Sequence, residues 1–272
     1  MAFIVQFCGY PKNIRLIMIN KWNKKKLNES SSEGHIDFIL SEEDSFLEIK
    51  KASEVIPSWY KDIPHLAKLK EFDKKEDFTV KRCIPILDAL TAGYIFVTNR
   101  DIDISQNLKI NEIKISGSGL NQNHITMHPI TQLGDMPISD EFVRYAFKWG
   151  NRYIIKTPPG YSCIFTHPFN LINVPFYSLA AVVDTDTYIQ PVLFPFLMKK
   201  FNGIIPAGTP IMQIIPFKRD NWSSKIYKKM SYKFKNEFHN ATKQYESERY
   251  DKNGNPLGGM YKRYYRKKKK YL

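Results

Sequence analysis

The chain has 272 residues, 43% of them hydrophobic and 14% aromatic, which is ample material for a folded core and excludes a disordered polypeptide. No run of 18 apolar residues occurs, which excludes a helical membrane span, and Met1–Tyr10 lacks the basic leader of a signal peptide. The three cysteines are widely spaced and form no Cys-x-x-Cys pair, so we expect reduced thiols in the cytoplasm or in a virion assembled there.

The net charge of +14 is unevenly distributed along the chain. Residues 218–272 hold 17 Lys and Arg against 5 Asp and Glu, whereas residues 1–217 hold 24 against 22. This pattern predicts a nearly neutral body with a cationic extension that meets an anionic partner.

Residues 1–78 have the pattern of a small α/β lobe. Two strand-like runs, Phe3–Phe7 and Ile14–Ile19, flank a Gly-Tyr-Pro turn and predict a hairpin. His35–Leu40 follows as a third strand. The acids of Ser41–Asp44 favour a helix N-terminus, and Ser53–Asp62 has a second helical pattern.

From Thr79 to Phe217 the sequence becomes a succession of short β-rich runs bounded by Gly, Pro, Asn and Asp. Strands at this spacing, without a long helical pattern between them, predict a mainly β domain built as a sandwich or small barrel. The predicted strands are Cys83–Leu87, Gly93–Thr98, Ile102–Ile104, Lys109–Ile115, His124–His128, Arg152–Lys156, Tyr161–Thr166, Leu179–Val183, Ile189–Leu197 and Thr209–Phe217.

Residues 218–272 form the predicted basic, helical C-terminal extension. Ser223 or Ser224 is expected to cap a helix that continues to about Tyr250, before the helix-breaking run Asn253–Pro256. Four aromatic residues spaced by 7, 4 and 7 positions share one face of this helix: Tyr227, Phe234, Phe238 and Tyr245.

The C-terminal run Tyr261–Tyr271 interleaves aromatic and basic side chains. Such a mixture can neutralise phosphates and stack on bases. A solvated terminus and an acidic protein partner are the alternatives to nucleic acid. The candidate nucleic-acid-binding residues are Arg263, Tyr264, Tyr265, Arg266, Lys267, Lys268, Lys269 and Lys270.

Three segments carry a resemblance to a known superfamily. They are Asp88–Tyr94, the acidic run Val183–Tyr188, and the run Gly208–Ile214 that contains Gln213. Together they resemble the motifs of the trimeric dUTPase and dCTP deaminase superfamily, over roughly residues 83–217. The resemblance implies a β-clip or jelly-roll-like barrel and a homo-oligomer, with a trimer as the expected form.

The same resemblance implies a nucleotide pyrophosphatase that uses Mg²⁺, with Asp184, Tyr188 and Gln213 as catalytic residues. Yet Ile95 and Pro210 stand where the family has an Asp and an Arg, and Asp184 and Tyr188 are one residue too far apart. Triphosphate chemistry needs those carboxylates and cations. We therefore expect Asp184 and Asp186 to form a turn between two strands, and we expect no cofactor.

The histidine and cysteine side chains are weak candidates for a metal site or a reactive thiol. His124 and His128 share a face of a predicted strand, and a third ligand from His167 or Asp184 would complete a metal site. Nothing in the spacing demands a metal, so we expect none. Cys163 lies in an apolar run and is expected to be a core residue.

Two classes of function follow. The first is a non-enzymatic viral structural or assembly protein, a β-barrel in an oligomer with a basic arm that contacts nucleic acid or a neighbouring subunit. Thr157–Cys163 and Ile205–Ile211 resemble segments of proteins from tailed phages and related viruses. The second class is the dUTPase-like pyrophosphatase or a degenerate nucleotide-binding relative.

Overall fold

The computed structural model describes residues 34–68, 76–110, 112–248, 250–253, 257 and 259–267. The predicted hairpin at Phe3–Phe7 and Ile14–Ile19 lies outside these residues, as do Lys268, Lys269 and Lys270. The fold is mainly β, as predicted, and its strands pair antiparallel.

The largest sheet has five strands, and its central strand is the nine-residue strand β16 (Pro210–Lys218). Its members are β2 (Leu47–Lys51), β5 (Tyr94–Thr98), β11 (Tyr161–Thr166), β13 (Ala181–Val183) and β16 (Pro210–Lys218). The strand order is β13-β11-β16-β5-β2, so β13 and β2 are the two edges.

A four-stranded sheet packs against the first and closes the core. It contains β8 (Ile125–Pro129), β9 (Tyr145–Trp149), β12 (Phe176–Ser178) and β14 (Phe194–Met198), in the order β12-β14-β9-β8. The core between the two sheets is aromatic. Phe194 lies 5.1 Å from Phe96 and 5.7 Å from Phe165 between ring centroids. Trp149 stacks on Phe196 at 3.9 Å.

Smaller sheets border this sandwich. They are formed by β1 (Asp37–Leu40) with β10 (Tyr153–Lys156), β3 (Leu66–Lys68) with β4 (Glu76–Phe78), and β6 (Ile102–Asn107) with β7 (Glu112–Ser116) and β15 (Gly203–Ile205). The described sheets are open and no closed barrel is seen among them, so the β-clip form of the fold stays a prediction.

Strands from the predicted N-terminal lobe are shared with the body. β1 pairs with β10 over Asp37 to Leu40, and β2 pairs with β5 over Leu47 to Lys51. The predicted helix start at Ser41–Asp44 is wrong, because these residues form a bend between β1 and β2. Asp44 bonds instead to the amide of Asn121 at 2.7 Å.

The helices are few and short in the body. They are α1 (Ser58–Asp62), α2 (Ile84–Leu90) and, in the extension, α3 (Tyr232–Ser247). The strand predicted at Cys83–Leu87 is wrong, because α2 occupies it. Pro85 lies in the first turn of α2, where its missing N–H and fixed φ favour a helix. In the described part of the chain, every helix is too short or too polar to cross a bilayer.

The extension also begins its helix later than predicted. The hydroxyl of Ser231, rather than that of Ser223 or Ser224, accepts the N–H of Phe234 and caps α3. Tyr227 therefore lies outside the helix, while Phe234, Phe238 and Tyr245 lie on it. The helix ends at Ser247, before the predicted Tyr250.

Candidate functional site

The acidic run Val183–Tyr188 is a tight turn that leaves strand β13. The carbonyl oxygen of Asp184 accepts the N–H of Thr187 at 3.1 Å and that of Tyr188 at 2.9 Å. The Thr187 hydroxyl donates to the same oxygen at 3.2 Å. The predicted turn is confirmed, with the Thr187 hydroxyl among its local hydrogen bonds, but the Asp184 and Asp186 carboxylates bond to distant residues and do not cap it.

Arg219, just beyond β16, forms ion pairs with both acids of this turn. Its guanidinium donates to the Asp186 carboxylate through two nitrogens, one of them at 2.9 Å, and reaches Asp184 at 3.3 Å. The Asp186 side chain is only 7% exposed and also accepts the N–H of Gly160 at 2.9 Å. Hydrogen bonding to Arg219 lowers the pKa of Asp186 below its ordinary value.

Asp184 is the more exposed of the two acids and has a second partner. The hydroxyl of Ser162 donates to its carboxylate at 2.6 Å, and the same hydroxyl accepts from Arg219 at 2.8 Å. A divalent cation at this turn would meet the positive charge of Arg219 first. The residues present do not fit the Mg²⁺ of the nucleotide-hydrolase alternative.

Gln213 is a buried structural clamp in this arrangement. Its amide donates to the carbonyl oxygens of Ala89 at 3.0 Å and Ala92 at 2.7 Å, and its oxygen accepts the N–H of Phe169 at 2.9 Å. Gln213 is the fourth residue of the nine-residue strand β16, five steps before Lys218, which is about 17 Å in an extended strand. The structure thus places Gln213 well away from the acidic turn along β16.

Tyr188 and Asp184 are adjacent at the turn, but they do not form a pocket with Gln213. The residues that complete the acidic turn, Arg219 and Ser162, were missed by the sequence analysis. Both become neighbours of Asp184 only through the pairing of β11 with β13 and β16. The strand register that brings Arg219 and Ser162 to Asp184 is visible in the structure and not in the local sequence.

The histidines proposed as metal ligands each have other partners. His124 is fully buried and stacks on Phe46 at 4.9 Å, and its burial lowers its pKa. His128 contacts the Thr126 hydroxyl at 3.0 Å. His167 donates to the carbonyl oxygen of Leu171 at 2.7 Å. No cluster of three or more metal-binding side chains is found within the described ranges.

Part of the predicted nucleic-acid site is held by acidic side chains of the same chain, Asp88 of the body and Glu248 of the extension. Arg266 bonds to the buried carboxylate of Asp88 at 2.6 Å. Arg263 lies 3.5 Å from Glu248, and the Tyr264 hydroxyl donates to the same carboxylate at 2.7 Å, which lowers the pKa of Glu248. Tyr265 and Lys267 are exposed.

The segment that precedes these paired residues makes few contacts with the rest of the protein and is exposed. Every residue from 221 to 240 is exposed, and α3 buries none of its side chains. We call residues 221–240 the exposed arm segment. It contains one acid, Glu237, and five lysines and five aromatic residues: Lys225, Lys228, Lys229, Lys233, Lys235, Trp222, Tyr227, Tyr232, Phe234 and Phe238.

The aromatic and basic side chains of the exposed arm segment are interleaved in space as well as in sequence. The Lys225 ammonium lies 5.0 Å from the centroid of the Tyr227 ring. Trp222 is 91% exposed and Tyr232 is 80% exposed. A surface that combines cations with open ring faces can bind an anion that itself carries flat aromatic groups.

Comparison of the sequence with models of protein families finds no matching family, and comparison with curated proteins finds no matching relative.

Proposed function

We propose that this protein is a non-enzymatic assembly protein that binds single-stranded nucleic acid through its exposed arm segment. The observation that carries the proposal is that all five lysines and all five aromatic residues between positions 221 and 240 are exposed. In this reading the β-rich body is a scaffold, and the arm makes the contact.

Charge complementarity favours an anionic polymer as the partner. The extension has 17 basic residues against 5 acids, and the basic residues of the exposed arm segment are all lysines, none of which forms an ion pair with an acid of the described residues. Neutralising phosphates releases counterions and drives binding in low salt.

The aromatic residues favour single-stranded nucleic acid over an acidic protein or a duplex. Bases that are not paired can stack on the open faces of Tyr232, Phe234 and Phe238, and each stack contributes about 1–3 kcal/mol. An acidic peptide has no comparable flat groups. Stacking would also cover apolar rings that α3, a 16-residue helix without buried side chains, leaves in water.

The sequence-predicted site therefore shifts along the chain. Arg263 and Arg266 have intramolecular acidic partners, so the first contact with nucleic acid falls to the exposed arm segment, and Lys267 lies beyond these paired residues. The setting of a virion stays a prediction from the sequence, as does the contribution of Lys268, Lys269 and Lys270.

Fluorescence anisotropy with a labelled oligothymidine tests the proposal. The full chain should bind it with an affinity that falls with salt, and Lys233→Ala with Lys235→Ala should reduce the logarithmic salt slope by about 0.7 per lost contact. Phe234→Ala with Phe238→Ala should weaken binding by roughly tenfold or more with little change in that slope.

A matched control separates specific contacts from net charge. Lys50→Ala with Lys114→Ala removes two exposed lysines from the body and should change the affinity and slope much less than the arm lysines do. If the two lysine pairs had equal effects, binding would depend on the overall charge of the protein and not on a site in the exposed arm segment. An affinity for oligothymidine that none of the arm variants changes would refute it.

A further inference from the structure

A long segment of the body is almost free of charge. Between residues 157 and 198 the only charged residues are Asp184 and Asp186, in a chain whose charged fraction is 25%. Both acids share Arg219, so the segment presents almost no net charge at its surface. Depletion of charged residues is typical of the buried centre of protein interfaces.

Within this segment, residues 180–193 form a closed loop on one edge of the sandwich. The N–H of Leu179 donates to the carbonyl oxygen of Pro195 at 2.8 Å, which ties the two ends of the loop together. The contact from Tyr188 N–H to the carbonyl oxygen of Asp184 holds its tip at 2.9 Å. We call residues 180–193 the neutral edge.

The neutral edge exposes apolar side chains and a strand edge together. Val182 is 63% exposed, Ile189 51%, Leu193 48% and Tyr188 45%. β13 is the last strand of the five-stranded sheet and, among the described strands, has a neighbour only on its β11 side. An exposed apolar edge strand is a site at which other chains add to a sheet, and soluble proteins normally protect it with charge.

We propose that the neutral edge is a self-association surface, on which a second copy of this chain packs about a two-fold axis. In such an interface the same patch meets itself, so a patch with a strong net charge of one sign would repel its own copy. A second copy carries a net charge of +14 as well, and only a nearly uncharged surface lets two such chains meet without direct repulsion.

The composition of the patch supports an occupant of this kind, since a specific dimer interface has an apolar centre and a polar rim. Val182, Tyr188, Ile189 and Leu193 supply the apolar centre. Asp184 and the exposed Gln190 supply polar groups beside it.

Light scattering coupled to size exclusion measures this association directly. The full chain is treated with nuclease and run in high salt over a concentration series, so that nucleic acid on the arm cannot link two copies. Wild type should have the mass of a dimer at the upper concentrations. Val182→Glu should weaken the dimer by more than about tenfold, because it puts an unpaired carboxylate from each copy into the apolar centre of the interface.

Ile110→Glu is the matched control, since Ile110 is 67% exposed in the turn between β6 and β7 and lies outside the neutral edge. It should leave the dimer intact. Hydrogen exchange of the wild-type chain gives a second reading that needs no variant. The amides of Ala181–Val183 that do not bond to β11 should become protected only at concentrations where the dimer forms.

A wild-type chain that stays monomeric throughout the series overturns the proposal. So does a dimer that survives Val182→Glu, or a dimer whose protected amides lie outside residues 180–193. Circular dichroism confirms that Val182→Glu is folded. Should it be unfolded, the exchange of the wild-type amides alone decides between the two results.

Discussion

Replacing Gln213 with Leu separates the structural from the catalytic interpretation of this residue. The amide of Gln213 bridges α2, the turn at Ala92 and the loop at Phe169, and the side chain is 1% exposed. Leu has a similar volume, so the change removes three hydrogen bonds without leaving a large cavity.

The magnitude follows from the groups that lose a partner. Ala89 keeps an N–H donor, that of Ala92 at 3.3 Å, but the carbonyl oxygen of Ala92 and the N–H of Phe169 lose the bonds to Gln213. An unsatisfied buried polar group costs about 1–3 kcal/mol. Because the N–H of Phe169 is only partly buried, we expect a loss of about 2–4 kcal/mol in the free energy of unfolding.

Urea denaturation followed by tryptophan fluorescence measures this loss from the shift in midpoint at constant m-value. Gln122→Leu is the control, since Gln122 is exposed and should change the free energy of unfolding by less than about 0.5 kcal/mol. If Gln213→Leu is as stable as wild type, the three hydrogen bonds contribute nothing to stability, and the interpretation of Gln213 as a structural clamp is refuted.

Three further predictions concern other sites. Because the pKa of Asp186 is lowered in the folded state, its stabilisation is present above the ordinary carboxyl pKa and is lost as the pH falls through the lowered value. Asp186→Asn should therefore flatten the acid side of the curve of unfolding free energy against pH, and an unchanged curve would contradict this. Gly93→Ala should cost clearly more in thermal denaturation than Gly160→Ala, because both have positive φ but only a Cβ at Gly93 lies 2.1 Å from a main-chain oxygen. Equal costs would be the contrary result. Burial raises the pKa of Cys163 to about 11, so a thiol reagent should label exposed Cys83 in the native protein and Cys163 only after unfolding, as read by peptide mass mapping.

Strands with β-branched and aromatic residues were the part of the fold that local sequence predicts best. Tyr94–Thr98 and Tyr161–Thr166 were found at nearly their observed bounds, because their burial alternates or runs continuously in a short apolar stretch. Tyr145–Trp149 and Phe176–Ser178 were missed. Both are short aromatic strands of the four-stranded sheet, and the turn residues Gly150 and Asn151 after the first and Pro175 before the second went unused as signals.

The error at Cys83–Leu87 has a different origin. Its apolar residues fit a strand and a buried helix equally well, and periodicity alone does not decide between them over so few residues. What decides in the structure is the contact of α2 with the clamp at Gln213 and with Arg266. These partners lie more than 100 positions away in sequence.

The acidic turn shows the same division between local and distant information. That Asp184–Thr187 closes a turn could be predicted, since the bonds involved are local. That Arg219 neutralises it could not, because Arg219 reaches Asp186 across 33 positions once β16 has paired with β11. The charge of a turn therefore says little about its chemistry until the strand register is known.

Two arginines of the basic extension also pair with acids of the body that are distant in sequence. At its start, Arg219 is held by Asp186, and near its end Arg266 is held by Asp88, whose side chain is 5% exposed. A buried carboxylate keeps such a partner because removing it would leave an uncompensated charge. The exposed arm segment thus lies between two ion pairs to the body, one at Arg219 and one at Arg266. In the proposed function, these two anchors would limit the conformational entropy that residues 221–240 lose on binding nucleic acid, because a fully free tail would lose more.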